Sequence, residues 1–176
     1  VEVDLWAFEE QVVEQIGRAR ENKTYLPGIA LSPLIHPTRD MAEAAEGKSV
    51  VLVVVPSHVY REVVFRFRTY LSEGCMVVSA TKGIENGTGY RMTQILEELL
   101  PPGREIRVSV LSGPSFAREV ARRLPTAVTI ASADPQVGLE VQNLLSCSYF
   151  RCYTSRDVTG VELGGAVKNV IAIAAG

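Results

Sequence analysis

Short apolar runs alternate with segments of helical periodicity along almost the whole chain. The apolar runs predict strands at 1–8, 48–57, 75–81, 106–112, 126–132 and 149–154. The amphipathic segments predict helices at 9–20, 40–46, 57–71, 90–100, 115–123 and 134–145, and from about residue 157 onward. Segments 22–33 and 82–89 contain several Gly or Pro residues and are expected to be loops. Because strands and helices alternate, we predict an α/β protein with a doubly wound, mostly parallel sheet.

The run 48–57, KSVVLVVVPS, is the longest uninterrupted apolar strand signal in the first half of the chain. Such a run is typical of a central strand that is covered on both faces. Four predicted strands lead directly into polar or turn-forming residues, at 8–9, 56–57, 81–83 and 113–115. Ligands of open α/β sheets bind outside the carboxyl ends of the strands. The pattern alone therefore predicts a ligand-binding domain of unspecified chemistry.

Composition and charge narrow the class of protein. The chain has 176 residues, of which 47% are apolar and 22% charged, and its net charge is −2. These values are typical of a globular domain and argue against a nucleic-acid or membrane-surface binder, which would carry a basic patch. No CxxC spacing joins Cys75, Cys147 and Cys152, so we expect no metal site and no disulfide framework, only reduced, buried thiols. The apolar stretch 161–176 is too short and too polar to span a bilayer.

The segment LSGPSFA (111–117) predicts a sharp turn between a strand and a helix. Gly113 would let the backbone approach a ligand, and Pro114 would fix the turn. Ser115 is expected to cap the following helix, whose free N–H groups attract anions. The alternative is an ordinary helix start with no ligand.

Lys82 follows a predicted buried strand, and Gly83 comes next. A cation at the carboxyl end of a strand suits a phosphate or carboxylate ligand. The alternative is a loop lysine that is merely solvated.

Lys168 is the only cation in the segment 160–176, GVELGGAVKNVIAIAAG. Gly160, Gly164 and Ala172 share its row on the predicted helix, where small residues would let a backbone or ligand come close. Apolar surroundings disfavour the charged form of a lysine, so Lys168 is a candidate general base. The alternative is a lysine at a helix edge whose amine reaches water.

Phe8 and Glu9 end the first predicted strand. In dinucleotide-binding folds this position faces the adenosine ribose, where an acidic residue favours NAD over NADP. No arginine precedes Arg18, which also favours NAD.

Six blocks of sequence, read in order, extend over essentially the whole chain: YLPG (25–28), VPS (55–57), SATKG (79–83), LSGPSFA (111–117), LPTAV (124–128) and TSRDVTGVELGGAVKNVIAIAAG (154–176). Together they resemble NAD(P)-dependent glycerol-3-phosphate dehydrogenase, and the last block is highly specific. The resemblance implies a Rossmann-like fold. It also implies interconversion of dihydroxyacetone phosphate and sn-glycerol 3-phosphate with NAD(P)H, feeding glycerophospholipid synthesis.

The resemblance further implies roles for residues that bind substrate. The lysine that matches Lys168 is the proton acceptor and contacts the substrate. The lysine that matches Lys82 touches both substrate and cofactor, and the positions that match Gly113 and Ser115 line the phosphoglycerol site. Asn169, next to Lys168, is a candidate hydrogen-bonding partner at the same site.

Cofactor contacts are implied in the same way. The positions that match Phe8, Lys82 and Ala117 contact the cofactor, and no metal is expected. The WAFEE run is similar to the NAD-linked eukaryotic branch of the family, whereas LSGPSFA is the bacterial or plastid form. Val59 stands where some relatives have an aromatic contact to the cofactor. We expect NAD, with NADP as the alternative.

The family's first strand and GxGxxG loop would precede Val1, and its all-α C-terminal domain would follow Gly176. Residues 1–155 are therefore expected to be an incomplete NAD-binding domain, and residues 156–176 to be the first helix of the helical substrate domain. We expect the chain on its own to be inactive. Two alternatives stay open: another β-hydroxyacid dehydrogenase, and a non-catalytic truncated paralogue that serves binding or assembly.

The expected partner is a small-molecule substrate, with no nucleic acid and no membrane span; a homodimer is an open alternative. The expected location is the cytoplasm, with the plastid as the alternative.

Overall fold

The computed structural model describes residues 1–175. Its strands are β1 (Val3–Trp6), β2 (Ile35–Thr38), β3 (Val50–Val53), β4 (Met76–Ser79), β5 (Arg107–Ser112), β6 (Thr126–Ala131) and β7 (Phe150–Ser155). Its helices are α1 (Glu10–Ala19), α2 (Met41–Ala45), α3 (Ser57–Phe67), α4 (Met92–Leu99), α5 (Ala117–Ala121), α6 (Pro135–Leu145) and α7 (Val158–Ala175). A turn of 3-10 helix, Arg68–Tyr70, follows α3.

The strands form two sheets. The larger has the order β3-β4-β5-β6-β7, and all its neighbouring strands are parallel except β5 and β6. The smaller is the parallel pair β1-β2. These pairings confirm the predicted α/β class with a mostly parallel sheet.

The antiparallel step from β5 to β6 follows from the short helix between them. Helix α5 has five residues, so it rises only about 7 Å. The six residues of β5 extend roughly 20 Å. A helix that returned the chain along this whole length would need about 13 residues, so α5 with its five does not serve as a parallel crossover. The chain therefore turns back and β6 runs against β5.

Strand β2 was not among the sequence-predicted elements. It is four residues long and contains Pro37, which has no N–H to donate to a neighbouring strand. Among the described residues it pairs only with β1, so it can tolerate this proline at an edge.

The apolar core lies on both faces of the larger sheet. Successive residues of β4 point to opposite faces, so Val77 packs with α3 and α4 while Val78 packs with α6. Every residue of β4 is buried. Among the described residues β3 lies at the end of the strand order and Leu52 is 47% exposed, so residues 1–175 do not show 48–57 as a doubly covered central strand.

The three cysteines are free thiols. Cys75 and Cys152 are buried, as predicted, but Cys147 is exposed because it lies in the turn between α6 and β7. Within residues 1–175 no helix combines the length and apolar character that a membrane crossing requires.

Candidate active site

Two loops meet at the carboxyl ends of β4 and β5. Lys82 follows β4, and its amine Nζ donates a hydrogen bond of 2.8 Å to the carbonyl oxygen of Gly113, which follows β5. The contact joins two of the segments that the sequence singled out. It also uses only one of the three N–H donors of the Lys82 ammonium.

Gly113 has a φ of +157°, and its position is dictated by β6. A Cβ there would lie 2.8 Å from the carbonyl oxygen of Ala127 and 2.9 Å from the Cα of Val128. The closeness of this strand alone requires glycine, which is a different reason from the ligand approach predicted from sequence.

Ser115 does not cap α5, so that prediction was wrong. The helix begins at Ala117, and Phe116, the residue before it, makes no side-chain cap. The hydroxyl of Ser115 instead points back toward the loop and lies 3.5 Å from the carbonyl oxygen of Gly113. Ala117 is exposed at the start of α5.

Helix α7 packs against the carboxyl end of β5 through Gly165. A Cβ at Gly165 would lie 2.5 Å from Oγ of Ser112 and 3.6 Å from Cγ of Lys82. The small-residue row predicted at Gly160 and Gly164 does not make this contact. Outside the backbone of α7 itself, nothing lies within 4 Å of a Cβ built on Gly164, and the nearest atoms to one built on Gly160 belong to Asp157 of the preceding turn.

Lys168 lies one turn beyond Gly165 on α7 and is half-buried. Its amine Nζ lies 4.6 Å from the centre of the Phe116 ring. Burial lowers the pKa of Lys82, and the nearby charge of Lys168 lowers it further. The structure thus brings Lys82 and Lys168 together at the loop 113–116, and both cations can face one anionic ligand. The side chain of Asn169 lies outside the described residues.

A buried carboxylate fixes the start of α7. Glu162 accepts hydrogen bonds from the backbone N–H of Thr93 at 2.9 Å and from the Thr93 hydroxyl at 2.6 Å. It also pairs with Nη1 of Arg91 at 2.5 Å. Sequence reasoning did not identify this residue; the signal it offered was a lone carboxylate in the apolar stretch before Lys168.

Phe8 and Glu9 follow β1. The Phe8 ring is 67% exposed, and the Glu9 carboxylate accepts a hydrogen bond of 2.7 Å from the hydroxyl of Tyr25. This carboxylate raises the pKa of Tyr25. Nη1 of Arg39 lies 3.2 Å from Oε2 of Glu10. Arg39 was missed because it follows β2, the strand that the sequence did not predict.

Arg18 of α1 and Arg20, which follows the helix, both contact other groups. Arg20 donates to the carbonyl oxygen of Ile35 at 2.6 Å, and Arg18 lies 3.9 Å from Glu14 of its own helix. In the described part of the chain no group of three or more His, Cys, Asp or Glu side chains could hold a metal ion.

Comparison with known proteins relates this chain to one enzyme family. The sequence profile described as NAD-dependent glycerol-3-phosphate dehydrogenase N-terminus matches residues 1–138. The glycerol-3-phosphate dehydrogenase [NAD(P)+] of Syntrophobacter fumaroxidans is 51% identical over 175 residues, 99% of this chain and 52% of that protein. The protein of the same name from Myxococcus xanthus is also 51% identical, with the same coverage of each chain.

A crystal structure of glycerol-3-phosphate dehydrogenase from Coxiella burnetii has a similar fold. It superposes with a TM-score of 0.90 at 34% identity, covering 98% of this chain and 52% of that one. The likeness supports a Rossmann-like fold, as predicted. The chain spans about half the length of the relatives it matches.

Proposed function

Because the chain belongs to the NAD-dependent glycerol-3-phosphate dehydrogenase family, we propose that it forms the cofactor-binding part of an enzyme that interconverts dihydroxyacetone phosphate and sn-glycerol 3-phosphate. The observation that carries the proposal is the meeting of Lys82 and Lys168 at the loop 113–116. Family membership disfavours another β-hydroxyacid dehydrogenase, which was one of the two alternatives.

Lys82 holds the anionic end of the substrate. Its amine keeps two N–H donors after the bond to Gly113, and a compact ammonium is well suited to a phosphate. Gly113 and Ser115 supply the neighbouring backbone and hydroxyl groups. The lowered pKa of Lys82 reflects burial, so a bound anion restores charge balance in a partly desolvated place.

Lys168 moves the proton. In the reducing direction its ammonium donates a proton to the carbonyl oxygen of dihydroxyacetone phosphate and stabilises the charge that develops there. In the oxidising direction its neutral amine accepts the hydroxyl proton of glycerol 3-phosphate. Bound NAD(P)H supplies the hydride in one direction, and NAD(P)+ accepts it in the other. Asn169 is assigned to hydrogen bonding with the same substrate.

The residues present suit a dinucleotide cofactor. Phe8 offers an exposed ring for adenine, and Ala117 is exposed beside the loop that contacts Lys82. Lys82 serves the cofactor as well as the substrate. We assign residues 1–155 to the NAD-binding domain and residues 156–176 to the beginning of a helical substrate domain. The isolated chain is inactive in this proposal, and the intact enzyme feeds glycerophospholipid synthesis.

The competing proposal is a non-catalytic truncated paralogue that serves binding or assembly. Such a protein would not need two lysines beside one loop. The two proposals differ in a direct assay. The intact enzyme should oxidise NADH with dihydroxyacetone phosphate but turn over unphosphorylated dihydroxyacetone at least about a hundredfold less efficiently, because Lys82 then has no anion to bind.

Equal kcat/KM for the two compounds would refute the role of Lys82. Absence of turnover with either compound would favour the non-catalytic paralogue. The chain 1–176 alone should bind NADH weakly by calorimetry, and micromolar affinity would overturn the assignment of an incomplete domain.

A further inference from the structure

Phe116 is a large apolar residue in an exposed loop. It lies in the loop between β5 and α5, its side chain is 57% exposed, and it contributes no hydrogen bond that caps the helix. An exposed ring of this kind contributes little to the core. Its close neighbour is the amine of Lys168, 4.6 Å from the ring centre.

This distance is within the roughly 6 Å at which the face of an aromatic ring attracts a cation. The loop 113–116 contacts both lysines of the candidate active site, one through a hydrogen bond and the other through an aromatic ring. The carbonyl oxygen of Gly113 accepts a hydrogen bond from Lys82, whereas Phe116 offers Lys168 only its ring.

The difference matters chemically. A carbonyl or carboxylate that held Lys168 would occupy one of its N–H donors. A ring face attracts the ammonium without accepting a conventional hydrogen bond, so all three N–H groups stay available to a substrate oxygen. The ring also restricts a flexible four-carbon side chain that would otherwise sample many rotamers.

We propose that Phe116 is a positioning residue whose ring holds the amine of Lys168 over the loop 113–116, ready for proton transfer. The proposal extends the proposed function, since it takes Lys168 to be the proton-transferring group. The contact itself can be tested without any activity.

The first test uses NMR on the chain 1–176. The sequence has four lysines, at positions 23, 48, 82 and 168, so reductive methylation with ¹³C-formaldehyde gives few signals, and Lys168→Arg identifies that of Lys168. Ring current should shift the Lys168 methyl signal upfield of the exposed Lys23 signal. Phe116→Leu should abolish this shift, and Phe116→Tyr should keep it.

Phe65 provides the matched control. It is 55% exposed and lies beside Arg68 rather than a lysine, so Phe65→Leu should leave the Lys168 signal in place. An unchanged Lys168 signal in Phe116→Leu, with wild-type thermal unfolding, would overturn the proposal. Loss of the Lys168 signal shift in Phe65→Leu would also overturn the proposal. The shift would then depend on the overall packing of the chain rather than on the Phe116 ring.

The second test uses the intact enzyme. Phe116→Leu should lower kcat by about three- to tenfold and leave the KM for dihydroxyacetone phosphate within about twofold, while Phe116→Tyr restores kcat. A raised KM with unchanged kcat would contradict positioning of Lys168. If the wild-type enzyme does not reduce dihydroxyacetone phosphate, the proposed function fails, and the NMR comparison alone then decides whether Phe116 holds Lys168.

Discussion

The carboxylate of Glu162 in α7 accepts a hydrogen bond of 2.9 Å from the backbone N–H of Thr93 at the start of α4. The two residues are 69 positions apart in sequence. The bond therefore ties the helix that carries Lys168 directly to α4. With Arg91 as the charged partner, it fixes where α7 starts and, through the rigid helix, where Lys168 lies.

Glu162→Ala should destabilise the chain by about 3 kcal/mol, because it leaves the Thr93 N–H and the Arg91 guanidinium without a buried acceptor. Urea unfolding followed by circular dichroism measures this loss. Glu140 is the matched control, since it pairs with Arg107 at 2.8 Å but is 34% exposed. Glu140→Ala should cost less than about 1 kcal/mol. Equal losses in the two variants would show that α7 is not anchored through Glu162.

Gly165→Ala should destabilise the chain by about 1–3 kcal/mol, because its Cβ would lie 2.5 Å from Oγ of Ser112. Gly164→Ala is the control: its Cβ meets no atom within 4 Å, so it should stabilise α7 by about 0.5–1 kcal/mol. Adding Ser112→Ala to Gly165→Ala should restore most of the loss, since the Cβ of residue 112 is 3.6 Å away. If both glycine variants change stability in the same direction, α7 does not pack on β5 through Gly165.

The loop after Lys82 should lose stability in acid through Glu85. Hydrogen bonds from Arg61, then from Thr88, hold the pKa of Glu85 at about 2, below its ordinary 4.5. The ionised carboxylate is therefore favoured in the folded state. Its contribution is complete above pH 4.5 and is lost as the pH falls from 4.5 toward 2.

Arg61→Met should accordingly cost about 1 kcal/mol at pH 7, allowing for solvent screening, and progressively less below pH 4.5. Urea unfolding at several pH values between 7 and 3 measures the difference between wild type and variant. Arg18→Met, which removes an exposed pair with Glu14, should show no such pH dependence. A cost for Arg61→Met that stays constant down to pH 3 would disprove the coupling to Glu85.

The adenosine end of the cofactor should favour NADH over NADPH. Repulsion between a 2′-phosphate and a carboxylate near 4 Å is on the order of 1–4 kcal/mol, so Glu9 and Glu10 should give the intact enzyme a kcat/KM at least about tenfold higher with NADH. Arg39 does not offset this while it pairs with Glu10.

Glu10→Gln should release Arg39 and raise kcat/KM for NADPH, and adding Arg39→Met should reverse the gain. Wild-type kcat/KM values for NADPH equal to or above those for NADH would contradict this assignment.

The elements that sequence predicted best are those whose own residues decide their structure. The continuous apolar run of β4 and the amphipathic pattern of α3 need no distant partner to be recognised. Strand β2 was missed because Pro37 and a length of four residues give no strand signal; only pairing with β1 makes it a strand. Burial of Cys147 was predicted from residue type, which carries no information about the turn where it lies.

Sequence reasoning selected candidate residues for the site but not the contacts between them. Lys82, Gly113 and Lys168 were singled out from local pattern and family resemblance. The fit of Gly165 against Ser112 and the ring of Phe116 beside Lys168 depend on how α7 crosses β5. Such crossings are set by packing between distant segments, which local periodicity does not encode. The same reason explains why Glu162 and Arg39 were overlooked.

The most direct test of the account is the turnover of Lys168→Met in the intact enzyme. General acid–base groups contribute about 10²–10⁴-fold to rate, so kcat for dihydroxyacetone phosphate should fall at least about a hundredfold while the Kd for NADH stays within about threefold. Lys23→Met, which alters an exposed loop lysine, should keep wild-type kcat. A Lys168→Met enzyme that retains more than about a tenth of wild-type kcat would contradict proton transfer by Lys168.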